Sequence, residues 1–378
     1  MASDRRCDVV VIGAGITGAL VCDALTAEGL SVIVVDKRHP AHGSTSASTA
    51  LLQYELDVSL ADLTQDVGEE RALDAYHATA DGVEAVARLC GELGTDVGLK
   101  RRPALYFASR SRDVKPLRRE CAARLRAHLP CEILERRALK DIVDFKPPLA
   151  LWSTLGGEVD PWRLTRALFD RCAKRGVEVY GRTEVSRIVP EKSNVDVRTN
   201  RGKIRAKHVV VATGYEAGQF LPKQVAKLHS TYAIVTEPVS SFAGWPDRCL
   251  MWESARPYIY ARTTEDNRIM IGGQDDPFRD PDHRDARVPK KAEKLLARAR
   301  RLFPRIEMEL AYAWAGTFAE TADGLPFIGE HPRRDKRILF ALAYGANGIP
   351  FASAAGEILT CAVLGKYHRY KRAFSFDR

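Results

Sequence analysis

The residues best placed to do chemistry lie near the start of the chain, where GAGITG (residues 13–18) follows the apolar run Val9–Ile12 and leads into Ala19, Leu20 and Leu25. A strand–turn–helix reading follows, because a β-branched run suits a strand buried on both faces and the apolar positions after it suit a helix packed on a sheet. Gly13 permits the tight turn, Gly15 lets the backbone approach a pyrophosphate at the helix N-terminus, and Gly18 lets helix and strand come close. The second β-branched run, Ser31–Asp36, ends in a carboxylate that can accept hydrogen bonds from a ribose 2′- and 3′-hydroxyl pair. An acid there disfavours a 2′-phosphate, which argues against NADP; the same turn serves NAD and FAD, so the choice must come from elsewhere.

The elements that position this unit are legible along the chain. Helices are expected over 69–93, 114–129 and 161–175, the last opened by Pro161 and stopped by Gly176, and over 290–303 and 352–364. Strands are expected at 177–180, 195–199, 204–206, 208–214 and 338–343. From Ser230 to Gly273 the pattern changes to alternating strands (231–236, 257–262, 268–272) with a hairpin signal at Glu265 to Asn267. The fold class is therefore α/β, a discontinuous Rossmann-like nucleotide-binding domain with a mostly antiparallel β second domain. At 378 residues the chain is too long for one core. There is no internal repeat or low-complexity segment.

Composition excludes several classes. The 45% hydrophobic and 28% charged content is globular, and the net charge of +9 is spread in short clusters such as Lys100–Arg102 and Arg298–Arg301, as solvated helix faces require, so nucleic acid is not expected as a partner. Eight cysteines, with no C-x-x-C pair and no clustering with histidine, suggest neither a metal site nor a disulfide framework. Val9–Leu20 is too short and glycine-interrupted to span a bilayer, and no signal peptide precedes it, so a cytoplasmic location is expected.

Further motifs then carry a resemblance. The loop HGSTSASTALLQ (42–53), GGEVDPWRL (156–164), VVVATGY (209–215), YIYAR (258–262), TADGLPFIG (321–329) and YGANGIPFAS (344–353) follow GAGITG in an order that resembles the FAD-dependent D-amino-acid oxidase superfamily, in its glycine oxidase, sarcosine oxidase and amine oxidase branch. The resemblance implies non-covalent FAD, held by Gly13, Gly15, Gly18, Asp36 and Lys37 at the ADP half and by Ser44, Thr45 and Ser48 near the pyrophosphate and flavin. It further implies Val185 at adenine, Ala212 and Gly214 in the groove, Gln53 at the ring region, and Gly345, Asn347, Gly348 and Ile349 at the pyrimidine side. It places the FAD domain at 1–90, 150–220 and 315–378 and the substrate domain at 91–149 and 221–314. The implied reaction is oxidation of the C–N bond of a small amine or amino acid by hydride transfer to flavin N5, with oxygen or an unknown group as acceptor.

The chain departs from its relatives where arginines that clamp a substrate carboxylate are expected. The corresponding stretches read Ala315 to Glu320, with Phe318, and Gly345 to Asn347, with Ala346. A buried carboxylate without a cation or several donors is costly, which puts simple α-amino acids in doubt. Arg262 or Arg256 would have to substitute, with Tyr232, Tyr258 and Tyr260 lining the pocket, and Glu320 would attract a second cationic group. Two other functions are compatible with the fold: a flavin enzyme modifying tRNA, and a non-catalytic flavoprotein subunit of a larger dehydrogenase.

Overall fold

The computed structural model describes residues 5–342, 344–345 and 347–378. Its first sheet is built outward from β1 (Arg5–Ile12), whose last four residues are buried. β1 lies parallel to β2 (Val32–Val35) on one side and to the strand Gly202–Val211 on the other. Strand Glu178–Tyr180 extends the sheet beyond β2, again in parallel. The far side of Gly202–Val211 is shared between the antiparallel strand Val195–Thr199 and the parallel strand Ile338–Leu342. Helix α1 (Ile16–Ala27) joins β1 to β2 and packs against α2 (Gly348–Val363), so the two ends of the chain meet over one face of the sheet.

The second sheet has eight strands and forms a separate layer with its own core. At one edge β3 (Lys227–Thr236) sits between β5 (Ile269–Asp276) and β6 (Leu310–Glu320), and β4 (Ile259–Thr263) follows beside β5. The expected antiparallel body is this region, including the hairpin at Glu265 to Asn267, where Asn267 has φ +60°. Leu250–Glu253 pairs with β4 on its other side, and three strands from earlier in the chain, Ala104–Phe107, Leu149–Ser153 and Glu132–Glu135, complete the sheet. Two strands of this sheet cross the expected domain limits. Leu149–Ser153 runs past 149, and β6 begins before 315 and runs to Glu320, both within the second sheet.

The expected helices are present as Glu69–Glu92, Val114–Arg126, Pro161–Lys174 and Val288–Leu302. The last helix begins four residues earlier than its expected start, at Gly348, and 204–206 and 208–214 are parts of one strand that ends at Val211. Of the last expected strand, Ala343 lies outside the described residues. Among the described residues, no helix is long and apolar enough to cross a membrane.

Candidate functional site

A cavity of about 480 Å³ runs from the N-terminus of α1 to the inner face of the second sheet. Its floor is the turn read first from sequence. Gly13 adopts φ +112°, and a Cβ there would sit 2.4 Å from the Ala212 carbonyl oxygen, so any side chain would separate two adjacent strand ends. A Cβ on Gly18 would sit 1.9 Å from the Gly13 carbonyl oxygen, and Gly18 does not line the cavity; its part is close packing, not contact. No side chain caps α1 from Gly15, and the helix has no acid in its first turn, leaving its positive end available to an anion. The Thr45 hydroxyl, buried against the turn, accepts the Ile16 N–H at 3.0 Å.

Asp36 lines the cavity at the end of β2, with Oδ2 accepting the Ala14 N–H at 2.7 Å and Oδ1 accepting the Arg38 N–H at 2.6 Å. The carboxylate is thus fixed in place with lone pairs to spare for a ribose. Beside it Glu216 joins Lys37 and Arg38, each at 2.8 Å, and holds the loop after Gly214 against the loop after β2. Sequence reading passed over Glu216, which stands one residue past the VVVATGY motif. Ser44, Thr45, Ser48, Gln53, Val185, Ala212, Gly214, Gly345, Gly348 and Ile349 all line the same cavity.

Four of the expected site residues take other roles. The Asn347 side chain is buried and donates to the Gln53 carbonyl at 3.0 Å and the Glu55 carbonyl at 2.7 Å, tying the start of α2 to the strand Leu51–Gln53 outside the lining. Tyr232 points to the opposite face of the second sheet, where its hydroxyl donates to Asp276 at 2.9 Å and Lys291 lies over its ring. Its neighbour Thr231 faces the cavity instead, as strand alternation requires. Arg262 shares the inner face with Tyr258 and Tyr260 but lies beyond the cavity, donating to the Thr49 and Thr263 carbonyls, with Glu158 at 3.9 Å. A guanidinium so occupied ties the sheet to the loop and stands outside the cavity lining. Glu320 is also outside the lining, with the His229 Nε2 3.3 Å from its carboxylate. Ala346 lies outside the described residues.

The inner wall is aromatic. Tyr258 and Tyr260 lie side by side at 5.9 Å, and Tyr106 stacks on Trp252 at 5.4 Å. Gly272, opposite Tyr260 across the β4–β5 pair, leaves the room this ring fills; a Cβ would come within 2.2 Å of it. Phe318 lines the wall from β6. Arg256 reaches the cavity from the loop before β4, its guanidinium over the Tyr258 ring at 4.7 Å. Arg124 reaches the lining from the helix Val114–Arg126 with its charge already committed, to Glu120 at 2.6 Å and Glu55 at 3.4 Å. Asp57 and Asp275 supply carboxylates. Burial pushes the Asp275 carboxyl up to about 6.

A groove with a helix N-terminus, a fixed carboxylate one strand away and an aromatic chamber at its far end matches an elongated dinucleotide with its reactive ring beneath the second sheet. Comparison with known proteins agrees. The model of the family described as FAD dependent oxidoreductase matches residues 8–362, and the chain belongs to that family. It is a flavoprotein oxidoreductase whose cofactor is FAD. It is 28% identical over 374 residues to glycine oxidase of Bacillus licheniformis, covering 96% of this chain and 94% of that one. It is 25% identical to gamma-glutamylputrescine oxidoreductase of Escherichia coli (strain K12), covering 96% and 85%. Among solved structures, glycine oxidase from Geobacillus kaustophilus superposes with a TM-score of 0.81 at 22% identity, covering 96% of each chain.

Proposed function

We propose that the protein oxidises the C–N bond of a small amine, and that it does so without the α-carboxylate clamp on which oxidation of simple amino acids relies. The observation that carries this reading is the wall itself. At the expected clamp position on β6 the cavity meets Gly316, Thr317 and Phe318, while its arginines are Arg38, held by Glu216, Arg124, held by Glu120 and Glu55, and Arg256. The relatives named above as oxidising glycine and gamma-glutamylputrescine support the reaction class.

The chemistry FAD supplies here is acceptance of a hydride equivalent at N5. The protein's part is to hold the reacting C–H in place, exclude water and keep the amine unprotonated. Tyr106, Trp252, Tyr258, Tyr260 and Phe318 form the apolar surround, and loss of amine solvation there favours the neutral form. Arg256 is positioned to meet a carboxylate farther from the reacting carbon, should the substrate carry one.

Anaerobic bleaching of the flavin by a panel of amines tests the reading. Secondary amines and polyamine-like compounds should reduce it faster than glycine or D-alanine. Rapid reduction by the small amino acids, abolished by Arg256→Ala with FAD retained, would show that the clamp has moved to the cavity mouth and would refute the substrate argument.

A further inference from the structure

The inner wall contains one irregularity with a chemical result. On β3 and β5 the register runs Tyr232 opposite Gly273 and then Ser230 opposite Asp276, so β5 carries one residue more than β3 over the same span. Gly273 and Gln274 take φ of +127° and +60°. A bulge of this kind shifts the alternation by one, which exchanges the faces of the two adjacent aspartates that follow it. Asp276 turns outward, where it meets the Tyr232 hydroxyl, Arg287 at 3.0 Å and Lys291 at 2.9 Å. Lys291 also donates to the Gln274 carbonyl at 2.6 Å, fixing the bulged residue. Asp275 turns inward and lines the cavity.

Inside, Asp275 has Thr231 as its hydroxyl neighbour, and its Oδ1 is covered from solvent with no hydrogen-bond partner. Asp57 stands at the mouth of the same chamber, its Oδ1 accepting from the Tyr258 hydroxyl at 3.2 Å. A half-buried carboxylate lining a chamber, beside a second carboxylate and two tyrosine rings, asks for a donor that carries positive charge.

We propose that Asp275, with Asp57 and the rings of Tyr258 and Tyr260, binds a second positive charge of the substrate, an ammonium group separated by a short alkyl chain from the C–N bond that is oxidised. The preferred substrates are then diamine-like dications. This rests on the amine-oxidising reading above and adds the class of amine. Burial places the Asp275 carboxyl near 6, so the site is charged at neutral pH and loses its charge as the pH falls through that value. The charged or titratable groups around it are Asp57 from the loop after Leu51–Gln53, Tyr258 and Tyr260 from the β4 side, His229 from β3 and Lys291 from the helix behind the sheet.

The test uses holoenzyme and its Asp275→Asn and Asp57→Asn variants, with FAD content measured in each. Anaerobic flavin reduction by 1,5-diaminopentane is compared with reduction by pentylamine, and perturbation of the flavin spectrum by tetramethylammonium, which has no lone pair and is not oxidised, reports binding alone. The wild type should prefer the diamine, and Asp275→Asn should lower the diamine-to-monoamine ratio of apparent affinities by about ten- to a hundredfold, the range of a charge-assisted hydrogen bond. Asp57→Asn should lower it less, tetramethylammonium binding should weaken in parallel, and diamine affinity in the wild type should fall below pH 6. Equal affinity for diamine and monoamine in the wild type, or a ratio preserved in both variants, would overturn the proposal. If no amine bleaches the flavin, C–N oxidation itself is refuted, and tetramethylammonium binding with its loss in Asp275→Asn decides the cation site independently.

Discussion

Replacing Glu55 by glutamine is expected to stabilise the protein at alkaline pH and to leave it nearly unchanged in acid. Glu55 is 1% exposed and lies two residues past the strand Leu51–Gln53, whose Leu51 and Gln53 line the cavity. Arg124, its ionic partner, gives the closer contact to Glu120, at 2.6 Å against 3.4 Å for Glu55, and Glu55 Oε2 is buried without a hydrogen-bond partner. Burial outweighs this half-share of a cation, and the carboxyl is pushed up from 4.5 to about 7. An acid whose folded value exceeds its unfolded one binds its proton more tightly in the fold. Its contribution to stability is complete below about pH 4.5 and is lost as the pH rises through 7. The ionised form then costs about 3 kcal/mol relative to the neutral form, and glutamine copies the neutral form. Urea unfolding with saturating FAD, run at pH 4.5 and pH 8, should show Glu55→Gln more stable by about 3 kcal/mol at the higher pH alone. A variant less stable than wild type at pH 8 would mean that the Arg124 ion pair outweighs the burial cost, and the reasoning would be wrong.

Asp36→Ala should weaken FAD binding about ten- to a hundredfold through loss of charge-assisted bonds of about 1.5–3 kcal/mol, giving protein that purifies largely flavin-free and recovers on adding FAD; unchanged occupancy would place the ribose contact elsewhere. Acid precipitation should release all the flavin if attachment is non-covalent, as expected, and colour remaining in the pellet would contradict this. Gly272→Ala sets a methyl group against the Tyr260 ring, and overpacking of about 1–3 kcal/mol should lower the unfolding midpoint and weaken amine binding while FAD affinity holds. A substrate affinity equal to wild type would show that Tyr260 is not part of the amine chamber.

The nucleotide-binding turn was legible because its determinants are local: strand, glycine turn, helix and second strand lie within residues 5–36, and each glycine has its reason in that unit. The alternating strands of the second sheet and their hairpin were legible for the same cause. Which face each residue presents was not. Tyr232 and Thr231 exchange roles according to the register of β3 against strands far along the chain, and Asp275 reaches the cavity only because of a bulge between β3 and β5 that sequence alternation does not announce. Arg262 and Asn347 carry functional groups suited to a ligand, yet the fold assigns them to backbone carbonyls of the segment 49–55, more than 200 residues earlier in the chain. Arg124 belongs to an arginine-rich helix whose composition reads as solvated, and it is buried because Glu55, 69 residues earlier, meets it in the interior. Sequence alone determined the cofactor's unit and the kinds of element present, since short-range sterics and periodicity govern those. The lining of the aromatic chamber was decided by tertiary structure, because strand register and the meeting of distant segments select which side chains face one another.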